Sequence, residues 1–272
     1  MDRKHLHSNF AQVQTIIDKH VERLMAEMKG DEELQVLEAG CGSSTQFFLP
    51  EKTHLFGIDN SPEQLERNKF IRTKILGDIE QYDMPASAYD IVLCYDVIEH
   101  LQHPEPALRH MARALRPGGI LIVCAPARES FKGVITRFTP HWFHVWVYKH
   151  LLRDQWAGQP GRHPFRAYLK KEMGRNWIAR YARKQGLEVE YNEAYGHNPI
   201  FDRFKKTSLA LYHFSVASGK LVKLLTFGAV KPEITDFSIV LRRPYEFPAS
   251  SFAFEQSSAP SEAVRNDGAV PA

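Results

Sequence analysis

Cysteine is scarce in this chain. It has three, Cys41, Cys94 and Cys124, and no two are spaced as C-x-x-C. Three cannot all pair, and each ends an apolar, strand-like run. This points to reduced thiols rather than a disulfide framework and argues against a zinc site of the C-x-x-C kind. Long apolar runs are missing too. No stretch approaches the ~18 apolar residues of a membrane-crossing helix. The first residues, with Asp2, Arg3, Lys4, His5 and His7, lack the apolar stretch of a secretion signal, so a cytoplasmic location is the expectation. Neither sign of charge dominates: the formal net charge is +3, with 43% hydrophobic and 25% charged residues. Those proportions suit a soluble globular protein, and 272 residues can hold one large domain or a domain with a subdomain.

The stretch Leu37-Glu38-Ala39-Gly40-Cys41-Gly42-Ser43-Ser44 also lacks something. A dinucleotide loop reads Gly-x-Gly-x-x-Gly, and here Thr45 stands where the third glycine would be. The two glycines still let backbone approach a ligand closely. Glu38, two residues before the first glycine, would repel a pyrophosphate and suits a ligand carrying positive charge. The apolar run from Leu34 predicts a buried strand before the loop, and Thr45 to Leu49 predicts a helix after it.

Residues 9–29 place Val13, Ile16, Ile17, Val21, Leu24 and Met28 at helical spacing, which predicts an amphipathic helix. Thr53 to Asp59 predicts a second strand, with Ser61 as N-cap and Pro62 in the first turn of the next helix. Asp59 lies 17 residues after Gly42. An acid at the end of the second strand of such a unit accepts hydrogen bonds from ribose hydroxyls. Further strands are predicted at 74–76, 89–96 and 120–126, with a helix near 106–115 and a turn at Arg116-Pro117-Gly118-Gly119. These apolar runs lack polar alternation, as strands buried on both faces of a parallel sheet do. Leu187–Tyr191 and Asp236–Leu241 bring the count of strands to seven.

The set LEAGCG, GIDNS, GDI, YDIVLCYDVIEHL and ALRPGGILIVCAP resembles, in order and spacing, a class I S-adenosylmethionine-dependent methyltransferase. Within that class it is similar to the type 11/23 and ubiquinone-pathway O-methyltransferase group, over residues 34–126. The resemblance implies an α/β, Rossmann-like, mostly parallel seven-stranded sheet in the order 3-2-1-4-5-7-6, with helical cap insertions. It implies S-adenosylmethionine as the donor, bound by Glu38, Gly40, Gly42, Asp59, Asn60, Asp78, Ile79 and Tyr95. Asp78 would take the adenine amine and Ile79 would flank the ring.

Asp96, Glu99 and His100 follow the fourth strand. On a helical turn they would face one way. The spacing resembles the motif of metal-dependent O-methyltransferases, which implies a divalent Mg²⁺, Mn²⁺ or Zn²⁺ held by Asp96, Glu99, His100 and a further ligand such as His141 or His144. Asp96 departs from the glutamate of that motif. The other reading keeps Glu99 and His100 as structural holders of the loop, or makes His100 or His144 a metal-free general base, with Glu99 also a catalytic candidate.

Residues 127–185 hold 13 Lys and Arg against three acids, with many aromatics among them. They read as a cap that suits an acidic or planar acceptor, or as a helical subdomain with its own core. Residues 199–228 form a second insertion, apolar with interspersed lysines, that could lid the site, pair subunits or rest on a membrane surface. The domain is expected over 1–245 and a disordered tail over 246–272. No Asn-Pro-Pro-Tyr follows the fourth strand, which favours an oxygen acceptor on a small molecule, sugar or lipid-linked intermediate. An RNA or nucleotide 2′-O-methyltransferase is the second reading. A non-catalytic S-adenosylmethionine-binding protein is the third. Oligomeric state is not specified by these features.

Overall fold

The computed structural model describes residues 8–28, 30–45, 47–150, 153–159, 161–196 and 208–245. His5, His7 and the 246–272 tail lie outside the described residues, as does the first part of the second insertion.

Seven strands form one sheet in the order β3-β2-β1-β4-β5-β7-β6. They are β1 (Leu34–Ala39), β2 (Thr53–Asp59), β3 (Thr73–Leu76), β4 (Tyr89–Tyr95), β5 (Leu115–Pro126), β6 (Glu188–Tyr195) and β7 (Asp236–Arg242). β1 pairs in parallel with β2 and β4, β2 with β3, and β4 with β5. Only β7 runs antiparallel, against both β5 and β6. The order and the mostly parallel pairing are those the resemblance implied.

The central strands have no polar face because both sides are covered. On one side α1 (Ser8–Glu27) lays Val13, Ile17 and Val21 against Leu34, Val36, Ile91 and Ile120. Those three helix positions recur every four residues, and each fully buried aliphatic side chain is worth about 2 kcal/mol. On the other side α3 (Pro104–Ala114) and α6 (Arg175–Lys184) bury Leu108, Met111, Ile178 and Ala182 against Val92, Leu121 and Leu241. The short α2 (Pro62–Arg67) follows β2 and is capped by the Ser61 side chain, which accepts from the Gln64 N–H.

Three expectations of local structure change. Residues 47–49 are not helical. The buried Gln14 side chain of α1 takes both the N–H and the C=O of Phe48, at 3.0 and 2.9 Å, and so uses the backbone groups a helix would need. The turn at 116–119 belongs to β5: its glycines exchange backbone hydrogen bonds with Arg243 beyond the end of β7. Residues 168–185, which also read as helical from their sequence, form an α-helix only over α6, preceded by a 3₁₀ turn at Lys171–Met173.

The cap begins with α4 (Phe131–Phe138) and α5 (His141–His150), and α7 (Leu209–Leu225) lies in the second insertion. Both insertions leave the same edge of the sheet. Pro126 at the end of β5 and Tyr195 at the end of β6 are each paired with Asp236, where β7 starts. That edge also carries the C-terminal ends of the parallel strands.

Candidate active site

Glycine makes the turn after β1. Gly40 has φ +73° and Gly42 φ +52°, the left-handed region open to glycine. A Cβ on Gly40 would come within 2.4 Å of Val97, so a side chain from the loop after β4 packs directly on this turn. The loop is docked on β2, with Gly40 and Cys41 N–H groups both donating to the Ile58 carbonyl. The fully buried Asn68, at the C-cap of α2, donates its side-chain amide to the carbonyls of Cys41 and Gly42 at 3.1 and 3.2 Å.

Acids end successive strands around this loop. Glu38 is only 3% exposed, and its carboxylate accepts from the Thr45 hydroxyl at 2.6 Å. Burial pushes its pKa up to about 7, and the Thr45 hydrogen bond offsets part of that rise. Asp59 bridges two elements. One oxygen accepts from the Gly42 N–H and the other from the Ser61 N–H, both at 2.9 Å. Asp78 follows β3 and accepts from the Glu80 N–H at 2.9 Å, with the buried Ile79 beside it.

The facing wall comes from the loop after β4 and from the cap. Tyr95 ends β4 with its ring edge-on to Phe47, and burial raises its phenol pKa. Asp96 has φ +52°, and a 3₁₀ turn, Ile98–His100, comes next. The Glu99 carbonyl accepts from the Tyr168 N–H at 2.8 Å, which ties the cap to this turn. His100 Nδ1 lies 2.8 Å from the Arg166 carbonyl. A carbonyl only accepts, so Nδ1 carries a proton, and in the neutral ring Nε2 holds the lone pair. Nε2 stands 3.8 Å from the carboxylate of Glu99, which is 5% exposed. His163 and Phe165 pack edge-on next to His100. Burial and the nearby His100 lower the His163 pKa.

These elements enclose a cavity of about 560 Å³. All eight positions implied for the donor line it: Glu38, Gly40, Gly42, Asp59, Asn60, Asp78, Ile79 and Tyr95. Asp96 and His100 line it as well, whereas Glu99, His141 and His144 do not. The His144 ring instead bonds the Thr139 hydroxyl at 2.9 Å.

The metal grouping is not assembled. Asp96, Glu99, His100 and His141 form no ligand cluster, and among the described residues no three His, Cys, Asp or Glu side chains do. The cause is local geometry. Asp96 sits before the turn in a left-handed conformation, so the acid-x-x-Glu-His spacing is not read on an α-helix. Glu99 turns into the protein, and the exposed His141 stands on α5.

The sequence reading missed Asn68 and Thr45, which hold the loop and Glu38. It also missed the wall of His163, Phe165, Arg166 and Tyr168. A polar Asn between the apolar Leu65 and Ile71 was the one local sign of the first. The density of rings and cations after residue 127 was the sign of the wall.

A family model described as "Methyltransferase domain" matches residues 37–123. The mitochondrial ubiquinone biosynthesis O-methyltransferase of Candida albicans is 28% identical over 176 residues, covering 60% of this chain and 50% of that one. The ubiquinone biosynthesis O-methyltransferase of Caulobacter vibrioides is 28% identical over 123 residues, covering 45% of this chain and 43% of its own. The chain spans about half the length of the curated relatives it matches. A solved S-adenosylmethionine-dependent methyltransferase from Mesorhizobium loti aligns with 82% of this chain and 96% of its own, at 16% identity and a TM-score of 0.45.

Proposed function

We propose that this chain, which carries a class I S-adenosylmethionine-dependent methyltransferase domain, moves a methyl group from S-adenosylmethionine to a hydroxyl of a small molecule, a sugar or a lipid-linked intermediate. The observation that carries the reading is one cavity lined both by acids ending three successive strands and by His100. Bound there, S-adenosylmethionine supplies a methyl group on a sulfonium, open to in-line displacement.

The residues fit that donor. Glu38 is a buried carboxylate whose pKa is raised by burial, and the donor's ammonium would pair with its ionised form. Asp59 has one lone pair committed on each oxygen and further lone pairs for the two ribose hydroxyls. Asp78 would accept from the adenine amine, with Ile79 against the ring. Asn60 and Tyr95 would close the two ends of the donor site. Gly40 and Gly42 let the backbone approach, and Val97 and Asn68 keep the turn in place.

His100 is the proposed general base. Its Nδ1–H is committed to the Arg166 carbonyl, so Nε2 is the atom that takes the acceptor's proton. The resulting imidazolium is stabilised by Glu99, whose carboxylate is buried 3.8 Å away. Glu99 is thus a positioning residue. The oxygen acceptor is supported by the absence of Asn-Pro-Pro-Tyr after β4, where Tyr95-Asp96-Val97-Ile98 stands. The curated relatives' own names as O-methyltransferases support the same choice.

The test is transfer of labelled methyl from S-adenosylmethionine into separated lipid, small-molecule and RNA fractions, with and without chelator. Label in an alkali-stable ether of the lipid or small-molecule fraction is expected. Label in RNA would replace the acceptor assignment. Donor binding in calorimetry without label in any fraction would replace the enzyme reading.

A further inference from the structure

Two stretches of the cap present large apolar side chains to solvent. On α5, Trp142 is 68% exposed and Trp146 51%, and the helix buries no side chain. On α7, Phe214 is 71% exposed, Leu221 54% and Leu225 68%. Those three are spaced by seven and four residues, which puts them on one stripe of the helix. Phe227, just past its end, is 99% exposed. Isolated exposed leucines need no explanation, but contiguous apolar stripes on a folded protein mark a surface that meets something else.

The charge beside these side chains narrows what that is. Residues 131–150 contain Lys132, Arg137 and Lys149 and no acid, and residues 208–228 contain Lys220 and Lys223 and no acid. Lys223 is held by Glu233, so Lys220 is the lysine of α7 left out of that pair. A second copy of this chain would bring like charges against like. Apolar rings and cations together instead match the boundary of an anionic phospholipid leaflet, where tryptophan sits at headgroup level and lysine meets phosphate. Neither helix could pass through a bilayer: no helix among the described residues is long and apolar enough. They would lie on it.

We propose that α5, α7 and Phe227 form a docking surface for an anionic lipid leaflet. Both insertions leave the sheet at the edge that carries the cavity. The proposal concerns binding alone and stands whether or not the acceptor is lipid-linked.

Flotation with vesicles tests it. The full chain should float with phosphatidylcholine vesicles containing phosphatidylglycerol, float less without the anionic lipid, and release as salt is raised. Trp142→Ser with Trp146→Ser should weaken binding roughly tenfold or more, as should Leu221→Ser with Leu225→Ser and Phe227→Ser. Lys220→Glu, a surface charge change that leaves the apolar stripe intact, should weaken it several-fold. None of these residues lines the cavity, so donor affinity in calorimetry should stay unchanged and serves as the check on folding. Failure to float with either vesicle would overturn the proposal. So would wild-type flotation by the triple variant, or a dimer in sedimentation equilibrium that the same substitutions dissociate.

Discussion

The sheet edge and the cap share one cavity but hold their side chains in opposite ways. At the sheet edge, polar groups are fixed from elsewhere in the fold: Gly42 and Ser61 N–H groups on Asp59, the Asn68 amide on two loop carbonyls, the Thr45 hydroxyl on Glu38. In the cap, α5 buries nothing, and contact with the site runs through the extended stretch 163–168 pinned to Glu99 and His100. The difference teaches where change is tolerated. A group held by several distant partners cannot shift without breaking a buried hydrogen bond, whereas an exposed helix can be altered at little cost to the core.

The largest effect should come where the two regions meet. His100→Ala should lower kcat by about 10³-fold while donor affinity measured by calorimetry stays within about twofold. An equal loss of donor affinity would place His100 in the donor site instead. Next, Gly40→Val should weaken donor binding about 100-fold, because it combines a left-handed backbone with a clash on Val97. Adding Val97→Ala should recover part of that loss. If it recovers none, the packing of the two loops is not what sets the turn.

Asn68→Ala should cost about 1–3 kcal/mol of stability in urea unfolding, since it leaves two loop carbonyls without their donor. A smaller effect is expected from pH. Glu38 has a folded-state pKa raised to about 7, so the ligand-free fold gains stability from its proton at low pH and loses that contribution as pH rises through about 7. The ionised carboxylate is the form that attracts a cation. Donor affinity should therefore rise as pH increases through about 7, and Glu38→Gln should flatten that rise. The smallest effect belongs to the cap: Trp142→Ser should change thermal stability by no more than about 0.5 kcal/mol. A larger loss would mean that α5 packs on the core, and the contrast would fail.

The sheet was legible because burial on both faces leaves an unbroken apolar run, as in Ile91–Cys94, and the glycine turn because only glycine takes φ +73° cheaply. The position of Asp59 beside the glycine turn was legible through its spacing. The rest depended on contacts distant in the chain. Phe47 and Phe48 read as helix, yet Gln14, 34 residues before Phe48, holds that backbone out of one. Asp96, Glu99 and His100 read as one helical face, yet a left-handed Asp96 and a 3₁₀ turn separate them. The Arg166 carbonyl that sets the proton on His100 lies 66 residues further on, and no local pattern announces it.

The reversed strand β7 has a consequence for how such a chain could diversify. Because it runs back between β5 and β6, both insertions start at one edge of the sheet, where β5 and β6 end, and the second also returns there at the start of β7. Each insertion is therefore a cassette with fixed connectors. Its length and composition can be rewritten without moving the glycine turn at β1, two strands away from β5. A new acceptor could be reached by exchanging residues 131–150 or 209–225, leaving α6 in the core and the loops around the glycine turn as an inherited constant.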